Sequence, residues 1–139
     1  MTIFDGIVFS EEDLKDKERL EMMVESESVR IYQSDEARKG RSLEDIRNKV
    51  RQGKIAELYL IENYGYSESD IMWHDLIDPM GDYTEVKAYS GLWDEHAPQV
   101  TRDLKRYRAI SKFKSKWYLL FSVDKRNFYK FIAKIKIKD

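Results

Sequence analysis

The chain has 139 residues, enough for one domain with a single core, and its 42% hydrophobic and 37% charged residues are typical of a strongly solvated globular protein. It has no cysteine and only two histidines, which excludes disulfides and thiolate metal sites and leaves oxygen ligands for any metal. No run approaches the roughly 18 apolar residues of a membrane span, and the acidic N-terminus lacks a secretory pattern, so we expect a cytoplasmic protein with no membrane partner.

The first 40 residues predict two strands and a helix. Residues 2–9 are predicted as a short strand, and Ser10 with Asp13 three residues later has the pattern of a helix start. In the helix that follows, apolar residues recur at roughly helical spacing. They are Leu14, Leu20, Met23 and Val24. Residues 28–34 are predicted as another short strand, and residues 35–41 as a polar loop.

A second helix is predicted from its N-cap, Ser42, to about Tyr64. Steps of three and four residues along it trace one stripe. The stripe contains Ile46, Val50, Gly53, Glu57, Ile61 and Tyr64. Glu57 stands in its middle, and a carboxylate in an apolar stripe requires a cation, a metal or a hydrogen-bond donor nearby. The simpler alternative is that Glu57 pairs with Lys54 or Arg51 at the edge of the stripe.

Residues 73–89, WHDLIDPMGDYTEVKAY, predict a β-hairpin. Residues 71–78 are β-branched and aromatic enough for the first strand, and Pro79 begins the turn. The second strand alternates with a period of two, so Glu85 and Lys87 share one of its faces.

The loop length decides which acid of the first strand joins Glu85, because a slip of one residue moves every side chain to the other face. A three-residue loop pairs Asp78 with Asp82, and Asp75 with Glu85. A two- or four-residue loop puts Asp78 on the face of Glu85 and Lys87, and leaves Asp75 on the more apolar face. We favour the first register, with Asp75 in the site and Asp78 as a turn-forming Asp before proline.

A basic half follows the hairpin. Residues 90–98 are predicted as a loop, and an amphipathic helix follows with an apolar stripe of Val100, Leu104, Tyr107 and Ile110. From residue 100 onward, thirteen Lys or Arg against three Asp give a net charge of +10, which leaves −11 for residues 1–99. A segregated cationic surface is typical of phosphate-backbone binding, and a solvated helix face is the alternative. The candidate DNA-binding residues are Arg102, Lys105, Arg106 and Arg108.

The chain ends in two predicted strands. Residues 117–123, WYLLFSV, form a continuous apolar run, which indicates a central strand covered on both faces. Residues 129–137 alternate apolar residues with lysines, which is typical of an exposed edge strand.

Asp75, followed ten residues later by Glu85-Val86-Lys87, resembles the signature of the PD-(D/E)XK nucleases. His74 stands where that family often has proline. Glu57 resembles the glutamate that these nucleases often place on a helix ahead of the hairpin, and Gln99 resembles a polar residue after the E-x-K strand. The resemblance covers residues 41–123.

This resemblance implies an α/β fold with a restriction endonuclease-like α-β-β-α-β core, in which helices flank a mixed sheet. Residues 1–139 would form a single nuclease domain. Its parts would be an N-terminal extension (1–40), the catalytic core (41–123) and a C-terminal edge strand (124–139).

The resemblance also implies a Mg²⁺- or Mn²⁺-dependent DNA endonuclease that hydrolyses phosphodiester bonds. Asp75 and Glu85 would hold the metal, Glu57 would bind it directly or through water, and Lys87 would act on the nucleophilic water. It leaves open whether the protein acts as a homodimer and whether RNA is the substrate. The alternative from another class is a non-catalytic nucleic-acid-binding or assembly protein on the same scaffold.

Overall fold

The computed structural model describes residues 2–71, 74–91 and 93–138, with the backbone alone for residues 93 and 94. In order, these residues form β1 (Val8–Phe9), α1 (Lys17–Gln33), α2 (Asp35–Arg38), α3 (Leu43–Tyr64), β2 (Ser67–Glu68), β3 (Leu76–Ile77), β4 (Tyr83–Ser90), α4 (Trp93–Ala109), β5 (Trp117–Val123) and β6 (Tyr129–Lys136). None of the helices in these ranges is long and apolar enough to cross a membrane.

The strands form one mixed sheet in the order β1-β6-β5-β4-β3-β2. β4 and β5 are parallel, whereas every other neighbouring pair in the described sheet is antiparallel. A parallel pair requires a crossover connection, and α4 supplies it. The chain is therefore a mixed α/β protein, as the sequence predicts. β6 is not the outermost strand, because its first two residues pair with β1.

Helices cover both faces of the sheet centre. On one face, α1 and α3 pack against the side chains of Val86, Ala88, Leu119 and Phe121. On the other face, Val100 and Tyr107 of α4 cluster with Tyr118 and Leu120. Alternate residues of β5 thus belong to two different cores, which confirms that residues 117–123 form a central strand covered on both faces.

The ends of α3 follow from two residues. The hydroxyl of Ser42 accepts a hydrogen bond from the backbone N–H of Asp45 at 3.1 Å, which caps the first turn as predicted. Gly65 ends the helix with φ of 74°, a conformation that glycine adopts without steric cost. The predicted helix is confirmed, and Glu57 lies on its buried side at 5% exposure.

Three local predictions are wrong. Residues 28–34 are not a strand, because α1 continues to Gln33 and buries Ser28 one turn beyond Val24. The predicted loop at 35–41 contains the short helix α2, whose N-cap Ser34 accepts from the N–H of Ala37 at 3.2 Å. The predicted loop at 90–98 is mostly helix, since α4 begins at residue 93 and includes Pro98.

The first strand of the hairpin is much shorter than predicted. Within the described part of residues 71–78, only Leu76 and Ile77 pair as a strand with β4. Residues 72 and 73 lie outside the described residues. Most of the long strand β4 therefore extends past the end of its neighbour β3.

Candidate active site

The strand register places Asp75 beside Glu85. Leu76 pairs with Thr84 and Ile77 with Tyr83. The same register sets Asp78 opposite Asp82, and the N–H of Asp78 donates to the carbonyl of Asp82 at 2.9 Å. This is the register of the three-residue loop, so the favoured hairpin prediction is confirmed.

Asp78 belongs to the turn. Its Oδ1 accepts hydrogen bonds from the backbone N–H of Met80 at 3.0 Å and of Asp82 at 2.8 Å. Its side chain points into the protein, and the residue is only 7% exposed. The carboxylate is thus used to hold the turn, as expected for an Asp before proline.

Beyond the short β3, side chains bond backbone groups along the edge of β4. Asp75 Oδ2 accepts a hydrogen bond from the backbone N–H of Val86 at 2.8 Å. Further along, the amide of Gln52 donates to the carbonyl of Ala88 at 2.6 Å. These bonds satisfy backbone groups that a longer β3 would have paired. They also fix Asp75 at the sheet edge, between the side covered by α3 and the side covered by α4.

Glu85 is held by two neighbours on its Oε1 atom. The hydroxyl of Ser115 donates to this oxygen at 2.8 Å, and His74 Nδ1 lies 3.1 Å from it. His74 Nε2 accepts from the backbone N–H of Lys114 at 3.2 Å, so Nδ1 carries the proton in the neutral ring and donates. Burial lowers the pKa of His74, which favours that neutral form. One oxygen of Glu85 is therefore fixed in orientation.

Glu57 approaches from α3. Its Oε1 lies 3.2 Å from Nζ of Lys54, one turn earlier on the same helix. Burial raises the pKa of Glu57 to about 8, and the charge of Asp75 raises it further against the opposing effect of Lys54. The pair between Glu57 and Lys54, which the sequence analysis gave as the simpler alternative, is thus present. Glu57 also lies close enough to Asp75 for the charge of Asp75 to raise its pKa.

Asp75 affects Glu85 in the same way. Burial raises the pKa of Glu85 to about 9, together with the charge of Asp75 and a hydrogen bond with it, while Ser115 and Lys87 oppose the shift. Burial and the charge of Asp75 thus both favour the protonated forms of Glu57 and Glu85. Such a cluster has an unmet requirement for positive charge.

Lys87 supplies part of that charge. Burial alone would lower the pKa of its ammonium group, but the charge of Asp75 and the contact with Tyr107 outweigh burial, so the pKa lies above its usual value. The ammonium group lies 5.9 Å from the ring centre of Tyr107 in α4. Lys87 is therefore a cation at neutral pH, suited to stabilise negative charge rather than to remove a proton.

The three acids line one cleft of about 680 Å³, which we call the central cleft. It is bounded by α1, α3, β4 and α4. Its acidic lining includes Glu57, Asp75 and Glu85, and its basic lining includes Lys49, Lys54, Lys87 and Arg106. A cleft that carries acids on its floor and cations on its walls is suited to a metal ion and an anionic substrate together.

The donor set fits a hard divalent cation held by two carboxylates. Among the described residues, no three or more His, Asp or Glu side chains form a ready group of metal ligands. Mg²⁺ commonly uses one or two protein carboxylates and takes water and substrate phosphate oxygens for its remaining positions. Asp75 and Glu85 could serve as such a pair, because both line the central cleft and the charge of Asp75 raises the pKa of the buried Glu85 beside it.

The predicted DNA-binding residues do not share one surface. Arg106 lines the central cleft, and Arg102, one turn earlier, lies on the same side of α4. Lys105 is exposed but lines neither this cleft nor its neighbours. Arg108 donates to the carbonyls of Lys136 at 2.8 Å and Ile137 at 3.3 Å, which ties α4 to the end of β6.

Gln99 forms a hydrogen bond with Asp103, an acid that was not predicted as a functional or structural residue. Its amide donates at 2.9 Å to Asp103, which is buried and also accepts from the hydroxyls of Tyr89 at 2.7 Å and Tyr118 at 3.1 Å. This cluster fastens α4 to β4 and β5. Asp103 follows Val100 by three residues and precedes Tyr107 by four, so its position on the buried stripe was a readable signal.

His74 and Ser115 were also missed as partners of Glu85. His74 was noted as standing where the nuclease family often has proline, and Ser115 lies in the segment between α4 and β5 without any motif. Ser115 comes 30 positions after Glu85, and no local pattern could indicate their contact.

No protein-family model matches this chain, and no curated protein matches it significantly.

Proposed function

We propose that this chain is a Mg²⁺- or Mn²⁺-dependent deoxyribonuclease of PD-(D/E)XK type that cleaves internal phosphodiester bonds. Asp75 and Glu85 are the proposed metal ligands, Glu57 an additional ligand direct or through water, and Lys87 the catalytic cation. The order α3, β3, β4, α4, β5 supports this proposal, because it follows the α-β-β-α-β core of those nucleases.

The position of Asp75 between Glu57 and Glu85 carries the proposal. Three acids line one cleft, and burial together with the charge of Asp75 raises the pKa of Glu57 to about 8 and that of Glu85 to about 9. Lys54 lies 3.2 Å from Glu57 but does not offset the rise in the pKa of this acid. The remaining demand for positive charge, in a cleft open to solvent, favours a bound divalent cation.

In this proposal each residue has a distinct task. A bound divalent cation would activate water and neutralise charge on the phosphate. Ser115 and His74 hold Oε1 of Glu85, which keeps its other oxygen directed toward Asp75. Lys87 stays protonated and stabilises negative charge that develops on the phosphate oxygens. Lys54, 3.2 Å from Glu57, would balance the negative charge of this acid once a bound cation displaces its proton.

The test is cleavage of linear, nicked, branched and single-stranded DNA in Mg²⁺, Mn²⁺ or EDTA. We expect metal-dependent cleavage by the wild type and its loss in Glu85→Gln and Lys87→Met. Asp82→Asn, a charge change in the same hairpin at a half-buried side chain that pairs with Lys116 at 3.7 Å and does not line the central cleft, is the matched control and should cleave normally. Binding without cleavage under every metal condition would instead favour the non-catalytic DNA-binding alternative. Cleavage of RNA but not of DNA would show that the substrate is RNA.

A further inference from the structure

Two further clefts each share a different set of lining residues with the central cleft. The α4-side cleft, about 840 Å³, shares Lys49, Lys87 and Arg106 with the central cleft and adds Arg102, together with the acids Asp45, Glu95 and Asp103. The α1-side cleft, about 690 Å³, shares Glu57 and Asp75 with the central cleft. It is lined in addition by Arg19, Met22 and Glu68. A strand of nucleic acid that crosses the acids would therefore enter a different chemical environment on each side.

The cations that line the α4-side cleft can pair with an anionic ligand. Lys49 and Arg102 form no ion pair with an acid among the described residues, and Arg102 donates instead to the amide oxygen of Gln99 at 2.8 Å. Arg106 lies 3.9 Å from Asp103, and its side chain is 62% exposed. The three cations come from two helices and face one cleft, so their positions are set by the fold rather than by a single flexible segment.

On the α1 side, by contrast, each cation already has an acidic partner. Arg19 pairs with Glu68 at 3.7 Å, and Lys54 pairs with Glu57 at 3.2 Å. Arg30 pairs with Glu27, which also lines this cleft. A phosphate that approached here would compete with these carboxylates and be repelled by them, so little net attraction remains.

We propose that the substrate strand is held through its phosphates on one side of the scissile bond only, by Lys49, Arg102 and Arg106 in the α4-side cleft. This inference rests on the proposed nuclease function. It adds Lys49 to the DNA-binding residues predicted from the sequence and leaves out Lys105, which lies outside the clefts, and Arg108, which is bound to carbonyls of β6.

The first test is the salt dependence of DNA binding in EDTA, where no cleavage occurs. The triple variant Lys49→Ala, Arg102→Ala, Arg106→Ala should bind more weakly than wild type. The slope of log K against log salt should become shallower by about 2 to 3, at about 0.7 per contact on single strands and 0.9 on duplex. Lys105→Ala, Lys112→Ala, Lys125→Ala removes the same charge from exposed positions outside the clefts and is the matched control. Equal losses in the two triple variants would overturn the inference.

The second test uses oligonucleotides shortened from either end relative to the mapped cleavage point. Shortening on one side should raise KM steeply in the wild type, whereas shortening on the other side should change it little. In the cleft triple variant this difference should vanish, because the contacts that cause it are gone. Cleavage with equal dependence on both sides would overturn the one-sided inference and leave the nuclease proposal standing. A wild type that cleaves no DNA in Mg²⁺ or Mn²⁺ would overturn the nuclease proposal itself.

Discussion

Asp75 Oδ2 accepts a hydrogen bond from the backbone N–H of Val86 at 2.8 Å, so a side chain bonds the edge of β4 beyond the two described residues that pair in β3. The same carboxylate raises the pKa of the adjacent Glu85 and of Glu57 across the cleft. One residue therefore ends the local sheet pairing and organises the acids. An isosteric Asp75→Asn change can keep the first task, because the amide oxygen still accepts a hydrogen bond, while it removes the charge.

Divalent metal should stabilise the folded protein. A ligand that binds only the native state adds about 2.7 kcal/mol when its free concentration is about 100 times Kd. We expect millimolar Mg²⁺ or Mn²⁺ to raise the Tm of the wild type in differential scanning fluorimetry, and to leave that of Asp75→Asn, Glu85→Gln nearly unchanged. An equal rise in the double variant would place the metal elsewhere.

In EDTA, stability should fall as pH rises from about 5 to about 9. The carboxyl groups of Glu57 and Glu85 ionise near 4.5 in the unfolded chain but at about 8 and about 9 in the folded protein. Between those values the unfolded state releases protons first and is favoured, so their stabilising contribution is complete below 4.5 and lost by about 9. Urea unfolding at several pH values should show a smaller decline in Glu57→Gln and Glu85→Gln than in wild type. If the free energy of unfolding fell with pH as steeply in both variants as in the wild type, the raised pKa values would not belong to Glu57 and Glu85.

Alanine substitutions of Asp75 and Asp78 in the hairpin should have different effects on cleavage and stability. Asp75→Ala should abolish cleavage, since it removes a proposed metal ligand. Asp78→Ala should retain metal-dependent cleavage but lower the free energy of unfolding by about 1–3 kcal/mol, because it leaves the N–H groups of Met80 and Asp82 without their acceptor. Cleavage assays beside urea unfolding would decide, and the reverse pattern would mean that Asp78 is the acid of the site.

Ser115 should act on metal affinity through Glu85. Ser115→Ala removes the 2.8 Å bond that orients Oε1, and the loss of such a supporting bond typically lowers metal affinity or activity by about 10–100-fold. We expect a higher Mn²⁺ concentration for half-maximal cleavage, with recovery at saturating metal. Ser111→Ala, at an exposed serine of the same segment, is the control. A loss of activity that no metal concentration restores would argue against this positioning role.

Local patterns predicted the parts of the fold that local interactions determine. Ser42, Gly65 and the three-residue hairpin loop act within a few residues of themselves, so α3 and the register of Asp75 could be read directly. The error at residues 28–34 arose because Ser28, a polar residue, is buried on the helix face of Leu20 and Val24 and therefore hid the helical period.

The supporting residues of the site could not be predicted in the same way. Ser115 meets Glu85 because β5 lies parallel to β4, so that the segment before β5 passes the start of β4. His74 reaches the same carboxyl group from the segment before β3. The basic helix was recognised, but its sequence could not show that Arg102 and Arg106 face a cleft while Arg108 faces β6. That distinction depends on the packing of α4 against the sheet.

The location of a bound Mn²⁺ ion would test the account most directly. Crystals of the wild type grown or soaked with Mn²⁺ should show an anomalous difference peak between the carboxylates of Asp75 and Glu85, at about 2.0–2.2 Å from their oxygens as for small hard cations. The same experiment on Glu85→Gln should show the peak weakened or absent. A strong peak that is distant from Asp75, or one that persists unchanged in Glu85→Gln, would contradict the proposed metal site.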